Sequence, residues 1–260
     1  MKENMGKCAL CGRLGELTFE HIPPKAAFNS SPVKPVNKMA DKEFAERLPW
    51  EIDGLPYLNL QRGNGVYSLC QECNNCTGSW YGAAYVDVAH IAHLAIKEYK
   101  NNASKEQFVI TMQEIYPLRF IKQVLSMFCS LNPDNTKYDD LRSFVLDRDK
   151  QGLDKGKYKL CMYFLDSTFQ KMLKDMVVGK VMNDGELGTM LLSEIAINPL
   201  GFILYNNPTD NYPYEGIDIT ELADYGYDDL CSVTIPFVVH ETNSIFPEDF
   251  RSKAEIISRD

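Results

Sequence analysis

Cys70-Gln71-Glu72-Cys73-Asn74-Asn75-Cys76-Thr77-Gly78 contains a C-x2-C pair that runs directly into a polar segment. A helical pattern then extends to about Lys100. A second pair, Cys8-Ala9-Leu10-Cys11, lies upstream, with 58 residues between the two. Eight cysteines scattered over a chain of this length give about 0.24 such pairs by chance. This chain has three, counting Cys73/Cys76. A C-x2-C turn offers two thiolates to one tetrahedral ion, and two turns close a four-cysteine zinc site. Cys8, Cys11, Cys70 and Cys73 are therefore expected to hold a structural Zn2+. Such an ion is worth roughly 10–16 kcal/mol in small peptides, which is large beside the core that a module of about 100 residues can build. Cys76 is surplus to four thiolates and reads as an apolar helix residue. Cys129, Cys161 and Cys231 stand in apolar surroundings and read as buried small hydrophobes.

Working outward, residues 16–22 read as a short strand stopped by Pro23-Pro24. A long connection over 25–63 follows, of the kind that is functional or mobile. Residues 65–69 read as a second strand entering Cys70. The helical pattern runs from about Asn74 to Lys100, and Gly78 and Gly82 weaken its first turns. Farther on, Leu118, Ile121, Val124/Leu125 and Phe128 follow helical spacing, with Pro117 near the start. Residues 158–165, 191–197, 202–205 and 232–239 read as strands, and Asn198-Pro199-Leu200-Gly201 as a turn between two of them.

The charge is uneven. The net of −9 over 260 residues lies entirely in residues 101–260, because residues 1–100 carry 11 basic and 11 acidic side chains. Residues 181–250 contain no Lys or Arg and 13 carboxylates. Neither half shows the bulk basic surface usual in nucleic-acid binders. The change in charge and the end of the cysteine cluster place a boundary near residue 100, with Asn101-Asn102-Ala103-Ser104 as the joint. The fold class expected is α+β. A zinc-stapled module over 1–100 precedes an acidic α+β domain over 101–260 with a mostly antiparallel sheet. The acidic stretch reads as a solvated face, or as a surface that repels DNA, mimics it, or docks a basic protein partner or a second copy of the chain. Its Tyr205, Tyr212, Tyr214, Tyr225 and Tyr227 suit an interface or a polar pocket. No apolar run reaches the ~18–20 residues of a membrane span, and the first residues lack the apolar core of a secretory signal. A cytoplasmic protein without membrane contact is expected.

Between the cysteine pairs stands Thr18-Phe19-Glu20-His21-Ile22-Pro23-Pro24, with Glu20 nine residues after Cys11. In this order of elements, over about residues 8–80, the chain resembles the HNH endonuclease family. Its members show C-x2-C, an acidic-His-Ile/Val-x-Pro strand, a middle Asn, and C-x2-C with Asn or His opening a helix. The resemblance implies a ββα-metal nuclease module acting on DNA, of a kind found in restriction and phage-defence effectors that depend on activation or a partner. It implies that His21 is the general base that deprotonates a water. Glu20 is then a ligand of a catalytic Mg2+ or Mn2+, and Asn74 is the second ligand, with Asn75 as a nearby candidate. Asn64 corresponds to the middle Asn that orients the base; Asn59 is the alternative.

The residues also fit phosphodiester hydrolysis on chemical grounds. A His with a pKa of ~6.5 is mostly neutral at pH 7 and can accept a proton. Carboxylate and amide oxygens are hard ligands suited to Mg2+ or Mn2+. In a regular strand Glu20 and His21 point to opposite faces, which a strand end distorted by Pro23-Pro24 would relax. Asn74 also suits a helix N-cap. Asp87, His90 and His93 share a helix face, about 20 Å beyond Asn74 along a continuous helix, and so are expected to stay apart from it. His240 is isolated. The competing reading is a non-catalytic four-cysteine module that binds nucleic acid or protein.

Overall fold

The computed structural model describes residues 4–38, 47–101 and 108–258. Of the expected joint at Asn101-Asn102-Ala103-Ser104, Asn101 is helical and the other three residues lie outside the described residues. β1 (Met5–Lys7) and β2 (Leu14–Glu16) pair antiparallel on either side of the first cysteine turn. β3 (Thr18–His21) pairs antiparallel with β4 (Gly65–Leu69), which delivers the chain to Cys70. α1 (Gln71–Thr77), a π-helical turn (Gly78–Gly82) and α2 (Ala83–Asn101) follow one another directly. The helix thus begins three residues earlier than its apolar pattern suggests. Cys70 occupies the N-cap position, and Asn74 lies in the second turn rather than at a cap. The wide turn falls on the two glycines whose low helix propensity marks this stretch as weak.

β5 (Phe108–Ile115), α3 (Pro117–Leu131) and α4 (Asp139–Leu146) come next. They are followed by β6 (Tyr158–Leu165), β7 (Lys171–Val181), β8 (Leu187–Ile197) and β9 (Leu200–Asn206). β10 (Ile217–Asp218), β11 (Cys231–Phe237), β12 (Val239–His240) and α5 (Lys253–Ile257) complete the chain. The main sheet runs β10-β6-β9-β8-β7 with antiparallel neighbours, and β12 joins β6 in parallel. β5 and β11 form a separate antiparallel pair. The fold is mixed α+β with a mostly antiparallel sheet.

β6 and β9 are buried on both faces, which explains their continuous apolar sequences. Leu160, Met162, Phe164, Phe202 and Leu204 face the helices. The alternate residues Cys161, Tyr163, Leu165, Ile203 and Tyr205 build a smaller cluster on the opposite face. Tyr212 and Tyr214 join that second cluster, and Tyr205 packs 5.8 Å from Tyr212 and 4.8 Å from Tyr214. Tyr205 and Tyr212 are buried, and Tyr214 is half-buried against them. α3 is the central helix. Its Phe120 lies 6.0 Å from Phe202 of the sheet and 5.8 Å from Tyr85 of α2. One hydrophobic cluster runs from Cys8 and Ile22 through α2 and α3 to Phe237, taking residues from both sides of position 100. Arg142 of α4 reinforces the join by donating from Nε to the Ala9 carbonyl at 2.7 Å.

Candidate metal centre and cleft

The four cysteines singled out by their spacing converge. Their sulfur atoms all lie within 4.8 Å of one another, so Cys8, Cys11, Cys70 and Cys73 can hold one metal ion. The turns that present them are tightly bonded. Gly12 N–H donates to the Cys8 carbonyl at 3.0 Å, and Gly12 takes φ +74°, a left-handed turn that suits glycine. The Cys70 N–H donates to Cys8 Sγ at 3.3 Å. A hydrogen bond from the Cys73 thiol, helped by backbone N–H groups, draws the Cys8 thiol down against its burial. The hydrogen bond to Cys8, then burial and the charge on Cys8, push the Cys73 thiol up. Four thiols this close cannot all ionise unless a cation offsets their repulsion, and soft thiolates in a closed set of four favour zinc. Cys76 stands outside the cluster. Arg13 pairs with Glu72 across the two cysteine turns.

Next to this knuckle, a cleft of about 500 Å³ is lined by Glu20, His21, Lys25, Asn74, Asp87 and Gln123, among others. Three of the residues expected at the site are therefore brought together. Their supports explain the arrangement. Asn74 Nδ2 donates to Thr18 Oγ1 at 2.9 Å and to the Phe19 carbonyl at 3.2 Å, which ties α1 to β3. With both amide hydrogens used, Oδ1 is the coordinating atom that Asn74 has left to offer. Glu20 is buried, and burial raises its carboxyl to about 7, an effect that the nearby Gln123 amide opposes. His21 Nε2 lies 3.1 Å from the Arg62 carbonyl. A carbonyl only accepts, so the neutral ring carries its proton on Nε2 and leaves Nδ1 free as a base. Burial, with Lys25 and Arg62 nearby, lowers the His21 pKa, although the Arg62 hydrogen bond opposes this, and favours that neutral form.

Other expected residues lie elsewhere. The Asn64 side chain donates from Nδ2 to Gln170 Oε1 at 2.7 Å and lines a different cavity, of about 750 Å³. Its backbone still braces the strand end, because its carbonyl accepts from Ile22 N–H at 3.1 Å. Asn75 accepts from Gln71 Nε2 at 2.7 Å, and Asn59 accepts from Gln61 Nε2 at 2.5 Å; neither lines the cleft. Asp87 does line it, contrary to the separation expected along a continuous helix. Asn74, Gly78, Gly82 and Val86 form a row at every fourth residue along one wall, and the wide π turn keeps that row aligned. His90 and His93 instead flank the Phe28 ring at 5.0 and 4.6 Å. His240 packs 4.4 Å from Phe250.

Two contributors had no sequence signal. Asn29 is buried, donating to the Pro23 carbonyl at 2.6 Å and the Asn64 carbonyl at 2.8 Å while accepting from Asn64 N–H at 2.7 Å. It clamps the segment after His21 to the segment before β4. Gly63, at φ +98°, passes so close that an added Cβ would lie 2.3 Å from the Asn29 carbonyl oxygen. Gln123 reaches the cleft from α3, more than 100 residues after Glu20.

No protein-family model matches the chain, and neither a curated protein nor a solved structure matches it. The resemblance to HNH endonucleases stands on its motifs alone. No helix among the described residues is long and apolar enough to cross a membrane.

Proposed function

We propose that this protein is a metal-dependent endonuclease that hydrolyses phosphodiester bonds of DNA, built on a zinc-stapled ββα-metal module. The observation that carries the reading is the shared cleft of Glu20, His21 and Asn74, beside a four-cysteine knuckle. Zn2+ staples the knuckle. The oxygens of Glu20 and Asn74 form a hard donor set that fits Mg2+ or Mn2+. When bound there, the divalent ion supplies charge stabilisation at the scissile phosphate. His21 holds its Nε2 proton on the Arg62 carbonyl and takes a proton from water at Nδ1. Lys25 and Arg62 place positive charge beside this base, a local attraction for phosphate that the chain's net charge conceals.

Zinc-loaded protein incubated with plasmid and Mg2+ or Mn2+ tests the reading. His21→Ala is expected to lower cleavage by about 10²–10⁴-fold with zinc content unchanged. Equal cleavage by both proteins would remove His21 as base, and no cleavage of plasmid or single-stranded DNA with any divalent ion would remove the activity. One observation favours the alternative of a non-catalytic module that binds nucleic acid or protein: the Asn64 amide is engaged by Gln170. That alternative requires one metal ion per chain and no divalent ion in the cleft.

A further inference from the structure

We propose that Gln123 of α3 supplies an oxygen ligand to the divalent cation of the cleft, so that the metal site draws on a helix outside the cysteine module. The inference rests on the nuclease reading and adds a residue that no motif marks. Gln123 is 1% exposed on a helix whose neighbouring positions are packed into the core. Its side chain lines the same cleft as Glu20. Its Oε1 is buried with no hydrogen-bond partner among the described residues. Buried polar atoms in folded proteins are almost always satisfied, and an amide oxygen beside a carboxylate is a pair that Mg2+ and Mn2+ accept. The buried, orphaned oxygen and the buried carboxylate thus answer one another: the cation would satisfy both. Oxygen ligands from β3, α1 and α3 would then tie the site to the packing of α3 against α2 and β9.

Mn2+ binding to the zinc-loaded full chain, followed by calorimetry and electron paramagnetic resonance, provides the test. Gln123→Met keeps the length and removes both polar atoms, and is expected to weaken Mn2+ at least tenfold while zinc content and melting temperature hold. Gln123→Glu keeps an oxygen and loses the N–H, and is expected to bind Mn2+ as tightly as wild type or more so. Wild-type affinity in Gln123→Met overturns the proposal. So does Gln123→Glu binding as weakly as Gln123→Met, because Gln123 would then act only by holding Glu20. Wild-type chain carrying 13C in its glutamine side chains should show a 13C hyperfine coupling to Mn2+ that Gln123→Met removes. Its absence overturns the proposal whether or not the Glu variant folds. Failure of the underlying reading looks different: wild type binds no Mn2+, or binding survives Glu20→Ala and Asn74→Ala together.

Discussion

At His21 a single carbonyl distinguishes the two ring nitrogens, and that carbonyl belongs to Arg62 rather than to the asparagine that the motif suggests. The next two residues in the chain position the Arg62 carbonyl. Gly63 takes a left-handed conformation against Asn29, and Asn64 is bonded to Asn29 through both its N–H and its carbonyl. Asn29→Ala would leave the Pro23 carbonyl and the Asn64 N–H without a partner in a buried place, while the Asn64 carbonyl keeps only the Ile22 N–H. The expected cost is about 2–4 kcal/mol, read by urea unfolding, with a fall in plasmid cleavage as the His21 ring loses its brace. Unchanged stability would refute the clamp. His21, Glu20 and Asn74 were legible in sequence because each stands at a fixed offset from a cysteine pair. Asn29 and Gln123 were not, since a buried amide has no periodicity and its partners lie 35 and 103 residues away.

The element that shapes the cleft is the run α1–π turn–α2. Gly78 and Gly82 read in sequence as weak points of a helix, and they are also the cleft wall. A Cβ added at either meets nothing within 4 Å, so neither glycine is required by close packing. Leucine in place of glycine within a helix is favourable by up to ~1 kcal/mol. Gly78→Leu should therefore leave the melting temperature unchanged or slightly raised, yet lower cleavage at least tenfold by filling the wall. Full cleavage by a folded Gly78→Leu would mean that substrate does not approach along this side. Strand edges were harder to foresee. β7 breaks its pattern with Lys174, Lys180 and a register shift between Leu173 and Met176. These features fit an edge strand that must resist pairing with another chain. Among the described residues β5 pairs only with β11, over 100 residues away, so nothing local announces it.

Across the whole molecule, several carboxylates of the acidic stretch 181–250 pair with basic residues from earlier in the chain. Lys155 pairs with Asp224, Lys159 with Asp218, Lys180 with Glu215 and Arg119 with Asp228. The Lys171–Glu194 pair, at 3.1 Å, is fully buried and receives a hydrogen bond from Tyr163. The absence of basic residues in that stretch thus reflects where its partners lie in sequence. The continuous core carries a second consequence. Removing zinc with a chelator, or Cys73→Ser, should lower the melting temperature in one cooperative transition, because Ile22, Tyr85, Phe120 and Phe202 belong to the same cluster. Metal analysis should give one zinc per chain, and cobalt substitution should give thiolate-to-metal absorption. Two separate transitions, with the second insensitive to zinc, would contradict this coupling.

Local sequence was enough to identify the cysteine knuckle, the β3 and β4 segments, the central helix and the doubly buried strands. These are local matters: a C-x2-C spacing or an apolar run commits a segment to its chemistry before anything else packs on it. Tertiary structure alone decided that Glu20, His21 and Asn74 share one cleft, that Asp87 joins them, and that Asn64 turns instead to Gln170. It also decided that the second half of the chain reaches the site through Gln123. Such outcomes depend on which surfaces meet once the core closes, and a buried polar group is placed by the packing around it rather than by its neighbours in the chain.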